Sequence, residues 1–402
     1  MFTRPHFRIV CLFAFILFAS SSVLVNAQHD SSGSSKDMMG GGTVGGSTGR
    51  TSTRSTSSKP PVRTNTARKP PATTSVKKPA VVKGPDANYY NAQGDQFYNA
   101  KNYNEALTAY QKAVELNPSL ANAHYRIGWI KNDQEDYEEA IEPLTQATRL
   151  QPSSAAFFEL GYAYRKLERY DEAMTAYKEA LRIKPDYALA YHDIGWIYNE
   201  KKNYEDAATN LKQALKINPS HADSHNELGY ALRNLGRYSE AIEEYQEAIR
   251  LDPQAGLAYL GLGDVYYYNT KQYPEAIKAY SAGTKLRPNN AGALYNLGWC
   301  YNDGERYNEA VQALQQSLSL ESNNPEAHNE LGYSFHQLKR YNEAIQQYLT
   351  AIQQKADYPS ARYNLGMSYV AVGNRNGAME QYRALQRTDA KRAEKLLLSI
   401  RN

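Results

Sequence analysis

The sequence predicts an all-α solenoid, a stack of short helical hairpins that starts near Ala87 and runs to the C-terminus. Two linked periodicities carry the prediction. A glycine recurs as Gly94, Gly128, Gly161, Gly195, Gly229, Gly263, Gly298, Gly332 and Gly366, at spacings of 34, 33, 34, 34, 34, 35, 34 and 34 residues. Twelve residues later comes an alanine: Ala106, Ala140, Ala173, Ala207, Ala241, Ala310, Ala344 and Ala378. Ala276 is displaced by one residue, as the 35-residue spacing requires. A period of 34 with two helical stretches per unit is the mark of stacked helix–turn–helix repeats.

Each recurring residue has a physical task. The glycine and the alanine let the two helices of a unit approach closely where they cross. Ile127, Leu160, Ile194 and Leu228, each just before the glycine, fill space around that contact. A tyrosine such as Tyr103, Tyr170 or Tyr307 stands before the second helix in eight of the nine units, and Asn104, Asp171, Asn308 and Asn342 follow it as helix-start signals. Pro118 and Pro219 end second helices. Pro143 falls inside a predicted second helix, where it is expected to remove a hydrogen bond or bend the chain.

These residues resemble the tetratricopeptide repeat (TPR) family. Its pattern has a small residue at position 8, an aromatic or aliphatic one at 11, Ala at 20, an aromatic or Leu at 24, Ala at 27 and Pro at 32. Residues 87–120 match with Gly94, Phe97, Ala106, Tyr110, Ala113 and Pro118. Residues 188–221 match with Gly195, Tyr198, Ala207, Leu211, Ala214 and Pro219. The remaining units are 121–153, 154–187, 222–255, 256–290, 291–324, 325–358 and 359–390, with departures at Gly283, Ser317, Ser322, Ala356 and Leu385. The resemblance implies a right-handed superhelical solenoid of about nine TPR hairpins. Residues 391–402 follow as a capping helix, with Ala393, Leu396, Leu397 and Ile400 on one face.

A second-order repeat overlies the first. Units reading IGWIKN, IGWIYN and LGWCYN alternate with units reading ELGYAYRKLERY, ELGYALRNLGRY and ELGYSFHQLKRY. Surface chemistry is therefore expected to recur every second unit.

The N-terminal part is of another kind. Arg4 and Arg8, the apolar run Ile9–Ala19 and the small residues ending at Ala27 read as a signal peptide cut before Gln28. Export to a periplasm, cell envelope or the outside is expected, with an uncleaved membrane anchor as the alternative. The mature form is then expected to have no membrane span. Residues 28–86 form a linker rich in Gly, Ser, Thr and Pro, with ten Lys/Arg against three Asp, and are expected to be disordered. Residues 87–402 carry a net −5. The linker suits a tether, or an arm for an anionic polymer or glycan. It interleaves no aromatic residue with its charges, which argues against nucleic acid.

No catalytic constellation, cofactor motif or metal site emerges. There is no phosphate loop, GxSxG, HExxH or CxxC. His221 and His225 have a helical i, i+4 spacing, but Pro219 breaks the chain before them and only Asp223 is near as a third ligand. Cys300 is expected to be a buried packing residue. No enzymatic activity is expected. Glu159, Glu227 and Glu330 recur in alternate units, which fits an architectural or groove role.

The resemblance implies instead a groove lined by first helices that holds protein or peptide partners. Its candidate residues are Trp129, Tyr162, Trp196, Tyr230, Trp299 and Tyr333 at position 9, with Asn132, Arg165, Asn199, Arg233, Asn302 and His336 at position 12. The alternative is that the rings merely pack on neighbouring helices. If the ladder is exposed, Arg165 and Arg233 would be basic spots that select acidic ligand groups. The clamp that some TPR proteins use for a C-terminal carboxylate is not implied, because position 5 has no Lys and position 9 no Asn.

Overall fold

The computed structural model describes residues 84–401. The signal peptide, its cut before Gln28 and nearly all of the basic linker lie outside the described residues. Among those described, every regular element is helical.

The helices come in pairs. The first four pairs are α1 (Ala87–Asn99) with α2 (Tyr103–Leu116), α3 (Ala121–Asp133) with α4 (Tyr137–Leu150), α5 (Ser154–Lys166) with α6 (Tyr170–Ile183), and α7 (Ala188–Glu200) with α8 (Tyr204–Ile217). Next come α9 (Ala222–Asn234) with α10 (Tyr238–Leu251), α11 (Gly256–Asp264) with α12 (Tyr273–Leu286), and α13 (Ala291–Asp303) with α14 (Tyr307–Leu320). The series ends with α15 (Pro325–Gln337) and α16 (Tyr341–Gln354), α17 (Pro359–Ala371) and α18 (Arg375–Thr388), and α19 (Ala390–Arg401).

Two helices cross at each recurring glycine. A Cβ on Gly161 would lie 2.7 Å from the Tyr177 ring, and one on Gly195 would lie 2.6 Å from Leu211 Cγ. The alanine opposite is fully buried in each pair, as at Ala173 and Ala207. At the end of the stack, α19 buries Ala393, Leu396 and Ile400, and Leu396 rather than a second-helix residue meets Gly366. Leu397 is only half-buried.

The turn inside each pair follows one rule. The residue two after the first helix takes a left-handed backbone, with φ near 60° at Lys101, Glu135, Glu168, Lys202, Lys271, Glu305 and Lys339, and glycine only at Gly236 and Gly373. Lys101 N–H donates to Tyr98 O and Asn102 N–H to Phe97 O, both at 2.9 Å, so the freed carbonyls are satisfied. The second helix then begins at the tyrosine itself. Asn104, Asp171, Asn308 and Asn342 therefore lie inside the first turn and do not cap it; the cap is the residue before the tyrosine, Asn102 or Arg169 for example. Pro143 does not end α4, which continues through it to Leu150.

The one 35-residue unit absorbs its extra residue in a π-helical turn, Val265–Asn269, at the end of α11. Thr270 N–H reaches back to Val265 O at 3.0 Å, and α12 resumes the common register at Tyr273.

First helices of successive pairs touch at α3–α5, α7–α9, α9–α11, α13–α15 and α15–α17, whereas no two successive second helices approach as closely. The first-helix side is thus the inner side of the stack. Cys300 is fully buried there as a packing residue, and burial pushes its thiol up.

Candidate functional site

The first-helix face is built from two kinds of junction. At α3–α5, α7–α9 and α13–α15 an asparagine clips the next helix. Asn132 Nδ2 donates to the Glu159 carbonyl at 3.0 Å and to its carboxylate at 2.9 Å. Asn199 does the same to Glu227, at 3.1 and 2.9 Å, and Asn302 to Glu330, at 3.1 and 3.2 Å. All three asparagines are buried. They were candidates for the groove surface; the structure commits them to holding adjacent repeats, because a buried amide must find partners.

The arginines differ from expectation in the same way. Arg165 Nε stands 3.7 Å from Asp193 Oδ1 on α7, and its guanidinium lies 4.9 Å from the Trp196 ring and 5.2 Å from that of Tyr162. Arg233 is ion-paired with Asp264 on α11 and lies 5.3 Å from the Tyr230 ring. Neither is an isolated basic spot. At the third such junction His336 Nδ1 meets Ser368 Oγ at 2.8 Å.

The position-9 rings are half-buried. Each packs edge-on against a tyrosine of the preceding hairpin: Trp129 on Tyr103 at 5.6 Å, Tyr162 on Tyr137 at 6.1 Å, Trp196 on Tyr170 at 6.0 Å. Tyr230 pairs with Tyr204 and Tyr333 with Tyr307. Trp299 instead meets Tyr267, Tyr268 and Tyr295, in the cluster beside the π-turn. The tyrosine that recurs at the start of the second helix thus has a partner in the next unit, which the sequence did not reveal.

Two open pockets lie on this face at homologous places. One, of about 270 Å³, is lined by Glu159, Tyr162 and Arg165 of α5, by Leu189, His192 and Asp193 of α7, and by His221 and Asp223. The other, of about 390 Å³, is lined by Glu227, Tyr230 and Arg233 of α9, by Leu257 and Asp264 of α11, and by Asn290 and Asn296 at α13. Leu189 and Leu257 are 41% and 52% exposed. Sequence reasoning missed both leucines and both aspartates. The signal was present at positions 2, 6 and 9, but it lacks a strict repeat.

Burial pushes the Glu159 carboxyl up to about 7, against the hydrogen bond from Asn132 that favours its charged form. Burial also raises Asp193 and Glu227. His192 is pushed down to about 3 by burial and by the neighbouring His221. His221 Nδ1 accepts from Ser224 N–H at 3.2 Å as a helix cap, whereas His225 bonds Glu244 at 2.6 Å. The two rings serve different contacts. Among the described residues no group of three or more His, Cys, Asp or Glu side chains is placed to hold a metal. Nor is any described helix long and apolar enough to cross a membrane.

Family models match most of the repeat region. The family model described as Cilia and flagella-associated protein 70 C-terminal domain matches residues 47–267. The TPR repeat model matches residues 267–299, 300–339 and 332–373. The Hsp70-Hsp90 organising protein of Plasmodium falciparum (isolate 3D7) is 25% identical over 92 residues, 23% of this chain, and the chain spans 16% of that protein. Among solved structures, PilF of Pseudomonas aeruginosa is 23% identical, covering 52% of this chain and 96% of its own, with a TM-score of 0.44. YrrB, described as a TPR protein with an unusual peptide-binding site, is 19% identical, covering 47% of this chain and 96% of its own, with a TM-score of 0.44. MamA from Desulfovibrio magneticus RS-1 is 24% identical, covering 42% and 95%, with a TM-score of 0.39. The first family model alone spans more than half of the sequence, and the repeat model continues from where it ends: the chain belongs to the tetratricopeptide-repeat family.

Proposed function

We propose that the chain is an exported scaffold that recruits other proteins by holding an extended polypeptide segment along its first-helix groove. TPR repeats support a protein-interaction role in general. The groove reading rests on one observation: two homologous open pockets, each with an exposed leucine at its rim and a half-buried tyrosine in its wall, lie on the same inner face. Exposed apolar groups between fixed polar ones are the usual makings of a peptide site. Export rests on the leader pattern of residues 1–27.

A photo-cross-linking residue tests the groove. Placed at Leu257 in the full chain, in its native host, it is expected to capture a polypeptide partner. Placed at Leu349 on α16, which is 41% exposed, it is expected to capture none. Equal capture at both places would reject the groove. Intact mass tests export: the mature chain is expected to begin at Gln28, and a species that retains Met1 would favour an anchor.

A further inference from the structure

We infer that the pocket between α9, α11 and α13 reads the partner segment at one residue. It takes a large uncharged apolar side chain, such as leucine or phenylalanine, and holds the peptide groups on either side through Asn226, Asn290 and Asn296. The inference rests on the groove reading and adds the chemical class of the residue recognised.

The space exists because two positions lack side chains. Two residues before the recurring glycine, α5, α7, α9 and α15 carry the carboxylates Glu159, Asp193, Glu227 and Glu330, whereas α11 carries Gly261. A Cβ on Gly261 would lie 2.5 Å from Tyr245 Cζ, so close packing keeps this wall bare. The second residue of α13 is Gly292, where α7, α9, α11 and α15 have Leu189, Asp223, Leu257 and Glu326. A Cβ on Gly292 would meet only Asn290 Oδ1, at 3.6 Å, so no part of the protein fills that side. The pocket at α5–α7 has Asp193 and Asp223 at the two corresponding places. The glycines thus make the 390 Å³ pocket the larger of the two and remove two carboxylates from it.

The charged groups that remain in the lining are matched to one another. Arg233 is ion-paired with Asp264, which also accepts from the Tyr280 hydroxyl at 2.5 Å. The Glu227 carboxylate accepts from Asn199 at 2.9 Å and from Asn226 at 3.4 Å, and burial pushes its carboxyl up, toward the neutral form. A charged ligand side chain would lose its water here and find no free counter-charge, which is costly. An apolar one meets Leu257 at the rim, 52% exposed, with Leu260 and the Tyr230 ring also in the lining.

The polar atoms left over suit a main chain. Asn296 Oδ1 accepts from the Tyr268 hydroxyl at 2.9 Å, and Asn290 Oδ1 accepts from Ala293 N–H at 2.9 Å as the cap of α13. Each keeps its Nδ2 donor without a partner among the described residues. Asn226 gives its Nδ2 to Glu227 and keeps its carbonyl oxygen. Two donors and an acceptor around an apolar space match the C=O and N–H groups of an extended segment, which has no internal partners for them.

A random peptide library, displayed on phage and selected on the full chain, tests the inference. The recovered peptides are expected to share one large apolar residue with no charged residue beside it. The strongest is then labelled and its binding measured by fluorescence anisotropy. Replacing its apolar residue by alanine is expected to weaken binding about tenfold, and lysine or glutamate there about a hundredfold. Added salt is expected to change little, since no ion pair forms. Gly292→Leu is expected to fill the pocket and weaken binding about tenfold, while the melting temperature holds or rises because a helical glycine is replaced by a better helix former. Gly292→Ala, which adds one carbon, is expected to weaken binding less. The substitutions in the peptide need no altered protein and decide the question even where Gly292→Leu fails to fold. Recovered peptides with no shared apolar residue, or binding unchanged by Gly292→Leu but abolished by Leu257→Arg, would overturn the pocket inference and leave the groove standing. Recovery of no peptide, or binding that neither variant affects, would overturn both readings.

Discussion

The junctions α7–α9 and α5–α7 lie next to each other and are built on opposite principles. At α7–α9 a neutral amide, Asn199, bonds both the backbone and the side chain of Glu227, and the helices touch. At α5–α7 an arginine faces an aspartate at 3.7 Å, the helices approach less closely, and a pocket opens. The alternation of Asn and Arg at position 12 follows from this, because the residue met on the next helix alternates too. A directional two-acceptor bond closes a junction, while an arginine–aspartate pair beside an aromatic ring leaves room for a ligand, at α9–α11 as at α5–α7. The three clips are not identical either. Asn302 Oδ1 accepts from Ser334 Oγ at 2.7 Å, whereas the corresponding Asn132 and Asn199 oxygens are buried without a partner. Where α15 has Ser334, α5 and α9 have Ala163 and Ala231.

The largest expected effect comes from breaking a clip. Asn302→Ala removes a donor to the Glu330 carbonyl and carboxylate and an acceptor of the Ser334 hydroxyl, which keep their contacts with one another and with Asn329, and is expected to cost about 3 kcal/mol in denaturant unfolding. Asn199→Ala, which frees no serine, is expected to cost about 2 kcal/mol. Losses below ~0.5 kcal/mol for both would show that the clips are incidental.

Next come the two ionic junctions. Arg233→Ala removes a close partner from Asp264 and is expected to cost about 2 kcal/mol, after allowance for partial exposure of both groups. Arg165→Ala, whose aspartate lies farther off, is expected to cost about 1 kcal/mol. Equal losses would erase the distinction between the pockets.

Glu159→Gln probes the clip and the pocket together. Burial pushes the folded carboxyl up to about 7, above the ordinary glutamate value, so the folded state keeps a proton that the unfolded chain releases. Stability on this account is greatest below the unfolded pKa, falls as pH rises toward 7, and is level above it. The amide keeps an acceptor for Asn132 and carries no charge. It is expected to raise stability by about 2 kcal/mol at pH 8 and to change little at pH 4, so a melting curve insensitive to pH in the wild type would contradict the shift.

The smallest effect is a gain. Ala231→Ser copies Ser334 into the α7–α9 clip and should give Asn199 Oδ1 its missing donor. About 0.5–1 kcal/mol of added stability is expected, measured as the melting temperature of Ala231→Ser beside that of the unaltered chain. A loss would mean that the buried oxygen is satisfied in some other way.

Much of the fold was legible because helix packing constrains single positions. A glycine facing Tyr177 or Leu211 cannot carry a Cβ, and an alanine buried at the crossing cannot grow, so both recur with the period of the stack. The irregular unit was legible too, as a glycine spacing of 35. That the extra residue would coil into a π-turn and gather Tyr267, Tyr268 and Trp299 was not, since the sequence gives the insertion but not its place. The turn residues were opaque for a different reason. Lysine and glutamate fill a left-handed position that would favour glycine, because the surrounding hydrogen bonds hold the backbone there.

The sequence by itself determined the repeat, its helical hairpins and the chemistry offered on their inner face. Those features depend on contacts inside a unit or on a period that spacing reveals. Tertiary structure alone decided which groups remain available to a partner. Asn132, Asn199 and Asn302 have the composition of ligand contacts and are spent on the neighbouring helix; Arg165 and Arg233 look basic and face aspartates. Whether a polar side chain is free depends on what stands across the junction, roughly 30 residues away in the chain and a few ångströms away in space, and burial requires it to take any partner it finds there.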